Sequence, residues 1–74
     1  MAAIDQVKKI IVEELAVEES DVVEDANLTD DLDADSMNLL VIYSEVEKAF
    51  NIKIDDNTAL GIRTVGDLLK IIGE

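Results

Sequence analysis

The sequence predicts an all-α fold, three principal helices and one short one closed around an aliphatic core. Three observations predict it. Apolar residues recur at three- and four-residue steps in three separate segments. The one alternating stretch, Ile52 to Asp55, has no second strand to pair with, and an isolated strand is not viable. The chain has 74 residues, of which 49% are apolar; that is enough for one small core and argues against disorder. Residues 1–74 are therefore read as a single domain. A domain this small buries little, so its chemistry belongs on the surface or on a partner, not in a deep private cleft.

The first helix is expected from Ala3 to Ala16, with Ile4, Val7, Ile11 and Leu15 on one face and Ile10 beside them. Asp5 in its first turn suits the helix dipole. From Val17 to Asp35 the periodicity breaks down in a stretch dense with Asp and Glu. A connection this long in a compact domain is usually functional or disordered. Its scattered Val17, Val22, Val23, Leu28 and Leu32 favour an ordered loop held by separate anchors, with a short helical turn at Val22 and Val23 capped by Ser20 or Asp21. The second long helix is expected from Ser36 to Phe50, with Leu39, Ile42, Tyr43, Val46, Ala49 and Phe50 on its buried stripe. Asp35 is its N-cap and Asn51 its left-handed terminator. A short helix from Asp56 to Leu60 ends at Gly61. The last helix opens on Thr64 with Asp67 three residues on, an approximate capping box, and Gly73 closes it. Val65, Leu68, Leu69, Ile71 and Ile72 form its inner side.

Composition excludes several function classes. Cys and His are absent, which removes disulfides, thiolate zinc sites and the usual activating partners of a nucleophilic serine. Eighteen acids against six bases give a net charge of −12. That field repels nucleic-acid phosphates and anionic membranes and attracts basic protein surfaces. No apolar run approaches the roughly 20 residues of a membrane helix. The N-terminus lacks the basic, then apolar pattern of a signal peptide. A cytoplasmic monomer is the expectation.

The informative segment is Asp31-Leu32-Asp33-Ala34-Asp35-Ser36-Met37. It places the Ser36 hydroxyl at the exposed start of a long helix, where free N–H groups and the dipole favour a phosphate. Taken alone, Asp35 and Ser36 are equally the residues that start any helix. The wider pattern resembles the acyl carrier protein family, whose modification site reads Asp-Leu-Gly-Ala-Asp-Ser-Leu. The resemblance runs the length of the chain. It takes in Val7 to Ile11 (VKKII), Leu15, the acidic loop, Glu45, Glu47, Phe50, Ile54 and the Thr64-Val65 start of the last helix, with no gap after the serine.

This resemblance implies an acyl-carrier-like bundle in which Ser36 receives 4′-phosphopantetheine from coenzyme A by the action of a phosphopantetheinyl transferase. The arm's thiol would then hold an acyl group as a thioester. The protein would be a substrate and shuttle, not an enzyme. Its partners would be acyl synthase, reductase, dehydratase and acyltransferase enzymes with basic docking patches, most naturally in fatty acid biosynthesis. A specialised polyketide, lipid or aminoacyl (such as D-alanyl) carrier is the alternative. The docking face implied comprises Asp31, Asp35, Met37, Leu40, Val41, Ser44 and Glu47.

Four residues depart from the family pattern. Asp33 stands for Gly, adding a charge that would stiffen or reshape the turn before Ser36. Val41 stands for a Glu, Ser44 for an apolar residue, and Asp55 for a common Pro. Val41 and Ser44 would change the choice of partner, and Met37, Leu40 and Val41 would form a small exposed apolar patch. Outside this class lie an acidic decoy for a basic surface and a cation-binding module. An EF-hand needs Gly at the sixth position and Glu at the twelfth. Counted from Asp31 those positions hold Ser36 and Ile42, and counted from Asp25 they hold Asp30 and Ser36, so both registers fail. The expected interior of Ile11, Leu39, Ile42, Val46, Ile62 and Leu68 is aliphatic and can part to admit a flexible chain.

Overall fold

A computed structural model describes residues 3–73. It contains α1 (Ala3–Leu15), α2 (Ser36–Phe50), α3 (Asp56–Leu60) and α4 (Val65–Ile72), with a single 3-10 turn at Glu19–Asp21. There is no strand among the described residues; Asn27 and Thr64 form one isolated antiparallel bridge. The expected architecture is therefore the observed one.

α1 runs antiparallel to α2, so Glu14 meets Asn38 and Ile10 lies beside Val41 and Glu45. Val7 and Ile11 of α1, Ile42 and Val46 of α2, and Val65, Leu68 and Leu69 of α4 are buried together, with Ile62 sealing one side. Full burial of an aliphatic side chain of this kind contributes about 1.5–3 kcal/mol. Ala49, expected on the same stripe, is exposed. By the antiparallel register it lies opposite the first described turn of α1, at the edge of the contact between the two helices. α1 ends at Leu15, one residue before the apolar spacing suggests. Ala16 swings to φ 55° while its N–H still donates to the Val12 carbonyl at 2.9 Å, the geometry of a left-handed helix stop.

The long connection is an ordered loop held by anchors, as expected, although the anchors differ in part. Val22, Leu28 and Leu32 are buried, joined by Ala26 and Ala34, whereas Val23 is exposed. The helical turn precedes Val22 rather than containing it, and Glu18 is its N-cap. Asp21 closes that turn from inside, its carboxylate accepting the Glu18 N–H at 3.2 Å. The loop is then laced to the start of α4. Leu28 N–H donates to the Arg63 carbonyl at 2.9 Å, Val65 N–H to Ala26 at 3.1 Å and Gly66 N–H to Glu24 at 2.7 Å. A Cβ on Gly66 would lie 3.0 Å from that Glu24 oxygen, so a side chain there would push the loop away.

Every principal helix start after α1 is closed by its own side chains. Asp55 accepts the Thr58 N–H at 2.8 Å. Asp67 accepts the Arg63 and Thr64 N–H groups at 3.0 and 3.2 Å, and its own N–H donates to Thr64 Oγ1 at 3.1 Å. These N–H groups hold both carboxyls below the usual carboxylate range. Because the folded values are depressed, the contribution of these caps is present above the ordinary carboxylate range and is lost as pH falls through the depressed values. Only one ion pair forms among the described residues, Lys48 to Glu45 at 3.6 Å on the surface, so the charge of −12 is left almost uncompensated. No described helix is long and apolar enough to cross a membrane.

Ala16 yields a direct test of this backbone reading. A left-handed conformation costs a Cβ-bearing residue about 1–2 kcal/mol, a cost glycine does not incur. Ala16→Gly should therefore stabilise the fold by about 0.5–1 kcal/mol after its greater unfolded-state entropy is counted. Thermal unfolding should show Tm raised by about 2–8 °C; a lowered Tm would mean that α1 does not stop there.

Candidate functional site

Ser36 is the first residue of α2, and its position is set by its neighbours. Asp35 and Asn38 cap each other. Asp35 Oδ1 accepts the Asn38 N–H at 2.8 Å, and Asn38 Oδ1 accepts the Asp35 N–H at 3.1 Å. The same Asn38 side chain donates from Nδ2 to Glu14 Oε2 at 2.9 Å in a partly buried contact, which fastens the start of α2 to the end of α1. Upstream, Leu32 and Ala34 are buried on either side of exposed Asp33. Asp33 takes φ 60°, a conformation that Asp tolerates better than most residues, and its N–H donates to the Thr29 carbonyl at 3.1 Å. The charge at this position thus leaves a glycine-like turn in place.

The result is an exposed hydroxyl on an ordered helix start. Among the described residues the Ser36 and Met37 N–H groups have no acceptor, as befits the first turn of a helix, and such groups are able to donate to an anion. No described cluster of three or more Asp or Glu is arranged to hold a metal ion.

The other expected site residues fall into two groups. Met37, Leu40 and Val41 are 71%, 65% and 41% exposed, and Ser44 is exposed one turn further along the same helix. Leu60, at the end of α3, is 79% exposed and extends this apolar surface. Two of the acids, by contrast, are engaged in holding the chain. Asp31 accepts the Asn27 N–H at 2.7 Å, closing a turn in which Asn27 Oδ1 also gathers the Thr29 and Asp30 N–H groups. Glu47 is half-buried near the far end of α2 and accepts the Ile54 N–H at 2.7 Å. The site itself gains Asn38 and Glu14, which the sequence reading did not single out. The signal was available for Asn38, since Asp-x-x-Asn spans a helix start at capping-box spacing. Glu14 becomes visible only once α1 and α2 are set side by side.

Ser36 also opens onto an apolar groove of about 510 Å³ between α2 and α3. Leu39, Leu40 and Tyr43 line one wall, and Asp56, Ala59, Leu60 and Ile62 the other. Burial raises the Tyr43 phenol above its ordinary pKa, so it is a neutral hydrogen-bond donor near neutral pH. α3 is five residues long with none of them buried, making it the most lightly held wall of the bundle.

Known proteins share this fold. Residues 5–72 match a family model described as a phosphopantetheine attachment site. Among solved structures, the chain is similar to a candidate acyl carrier protein from Mycobacterium tuberculosis, with 30% identity over 96% of this chain and 95% of that one, at a TM-score of 0.89. It is also similar to an acyl carrier protein from Enterococcus faecalis, with 35% identity over 93% of this chain and 87% of that one, at a TM-score of 0.80.

The cap makes a sharp prediction about stability. Asn38→Asp keeps the oxygen that accepts the Asp35 N–H but removes the donor to Glu14 and sets a second carboxylate against it. A hydrogen bond to a charged group contributes about 1.5–3 kcal/mol, so Tm should fall by about 10 °C. Adding Glu14→Gln to that variant restores a donor–acceptor pair of reversed polarity and should recover most of the loss. A double-mutant cycle read by thermal unfolding checks this; additive effects would show that the two side chains are not coupled.

Proposed function

The chain belongs to the acyl carrier protein family, and on that premise we propose that Ser36 is the residue that bears its 4′-phosphopantetheine arm. The observation that carries the proposal is the exposed Ser36 hydroxyl at an α2 start fixed by Asp35, Asn38 and Glu14, opening onto an apolar groove. The residues present suit the group. A phosphodiester on Ser36 would find the unbonded N–H groups of the first turn and the positive end of the dipole of α2. When bound, the arm supplies a thiol that holds an acyl group as a thioester. The chain's own part is to present the hydroxyl, stabilise the phosphate charge and offer the groove to the cargo. With neither His nor Cys in the sequence, Ser36 has no evident activating base, so the reading is of a carrier whose chemistry is performed by its partners.

Those partners are read as a phosphopantetheinyl transferase, which draws the arm from coenzyme A, and acyl-processing enzymes with basic rims. The net charge of −12 steers such surfaces toward the carrier and keeps its own copies apart. Fatty acid biosynthesis is the pathway we favour. A specialised polyketide, lipid or aminoacyl carrier has one observation behind it, the absence of any acidic residue from the first turn of α2. Val41 stands where the family has an acid to meet a partner's base, beside exposed Met37 and Leu40, and a partner with an apolar recess fits that face best.

Incubation with coenzyme A and a phosphopantetheinyl transferase tests the attachment. Intact mass should show one arm on the wild type and none on Ser36→Ala, whose circular dichroism should match the wild type because the Ser36 hydroxyl makes no hydrogen bond to the described residues. An arm on the Ala variant, or none on the wild type, would overturn the proposal.

A further inference from the structure

We propose that the groove beside Ser36 is built for acyl chains that carry an oxygen, and that Tyr43 is the residue that selects them. The inference rests on the carrier reading above and concerns the chemistry of the cargo. Tyr43 is the only tyrosine of the chain and sits on the groove wall two turns along α2 from Ser36, about 10 Å along the axis. The remaining wall residues are Leu39, Leu40, Ala59, Leu60 and Ile62, with Ser36 taken by the attachment and Asp56 exposed at the rim. Tyr43 is thus the one neutral hydrogen-bond donor in an otherwise aliphatic channel.

Its hydroxyl has no hydrogen-bond partner among the described residues, and no partnerless buried polar atom occurs among them, so the group is accessible to solvent on a side chain that lines the groove. A plain alkyl chain settling into the groove would strip water from that hydroxyl and give nothing in exchange, which is penalised. A hydroxyl or keto oxygen on the chain would accept the phenolic proton and replace the lost water. An aliphatic residue at this position would serve a saturated cargo better. The same groove therefore accepts both kinds of chain but is biased toward the oxygenated one.

The test loads arm-bearing wild type and Tyr43→Phe with octanoyl and with hydroxyoctanoyl groups, the hydroxyl on the third or the seventh carbon. NMR measures the fraction of each chain inserted between α2 and α3. With no tryptophan present, wild-type fluorescence reports the state of Tyr43 independently. The ratio of inserted hydroxyoctanoyl to inserted octanoyl should fall about three- to tenfold on Tyr43→Phe for at least one hydroxyl position, the effect of one net hydrogen bond. An unchanged ratio would overturn the proposal. So would an equal loss of insertion for both chains, which would assign Tyr43 to the thioester carbonyl common to all cargo. Chains that stay mobile and leave Tyr43 emission unchanged would overturn the groove as a cargo site, and this inference with it, while leaving attachment at Ser36 to its own mass-spectrometric test.

Discussion

Asn38 makes three hydrogen bonds at once, and the placement of Ser36 depends on them. Its N–H and Oδ1 tie it to Asp35, and its Nδ2 reaches across to Glu14. A side-chain cap contributes about 1 kcal/mol and a bond to a carboxylate about 1.5–3 kcal/mol. Domains of this kind are stable by only about 5–15 kcal/mol, so this cluster is a large fraction of the total. It also explains why an exposed serine directly after so acidic a loop sits on ordered backbone. The loop is anchored by Leu32 and Ala34 beneath it, and the helix is anchored by α1 beside it.

The charge sets the opposite tendency. With −12 on 74 residues the compact state works against its own repulsion, and many carboxylates are spent on backbone N–H groups rather than on bases. Asp31, Asp35, Asp55 and Asp67 each close a turn or a helix start. Acids that look like a docking surface in one dimension therefore divide in three. Some form the scaffold, and others, such as Asp33, leave their side chains exposed. The apolar Met37–Leu40–Val41 face lies between them, with Leu60 across the groove. Rigidity and looseness are also divided. The Ser36 end of α2 is fastened on two sides, while α3, with no buried residue, is the more lightly held wall of the groove.

The helices were legible in the sequence because their apolar periods and caps are local. Ser36–Phe50 and Asp56–Leu60 lie where the spacing sets them, and Asp35, Asn51 and Thr64 act at the ends assigned to them. What was not legible depends on packing between segments. Ala49 fits the stripe of α2 yet is exposed, because its burial depends on the register of α1 against α2. Val23 and Ala26 exchange places as loop anchors, because an irregular loop has no period to read. Asp33 sits at a left-handed position that one residue type cannot announce. The role of Glu14 required the register of two helices, and that of Glu47 the path of the chain after Phe50. Ser36 stood out because both the residue and its spacing match a family motif, whereas the groove beside it is a property of the assembled bundle.

The Ser36 end of α2 is rigid by virtue of its cap, while the opposite wall of the groove is lightly held. Native-state amide hydrogen exchange measures both in one experiment. The Asp35, Asn38 and Leu39 amides should be protected to nearly the level of Ile42 and Val46 in the core, and the Ala59 and Gly61 amides of the α3 segment should exchange much faster. If the Asn38 amide exchanges as quickly as those of α3, the helix start is frayed and the cap does not fix Ser36.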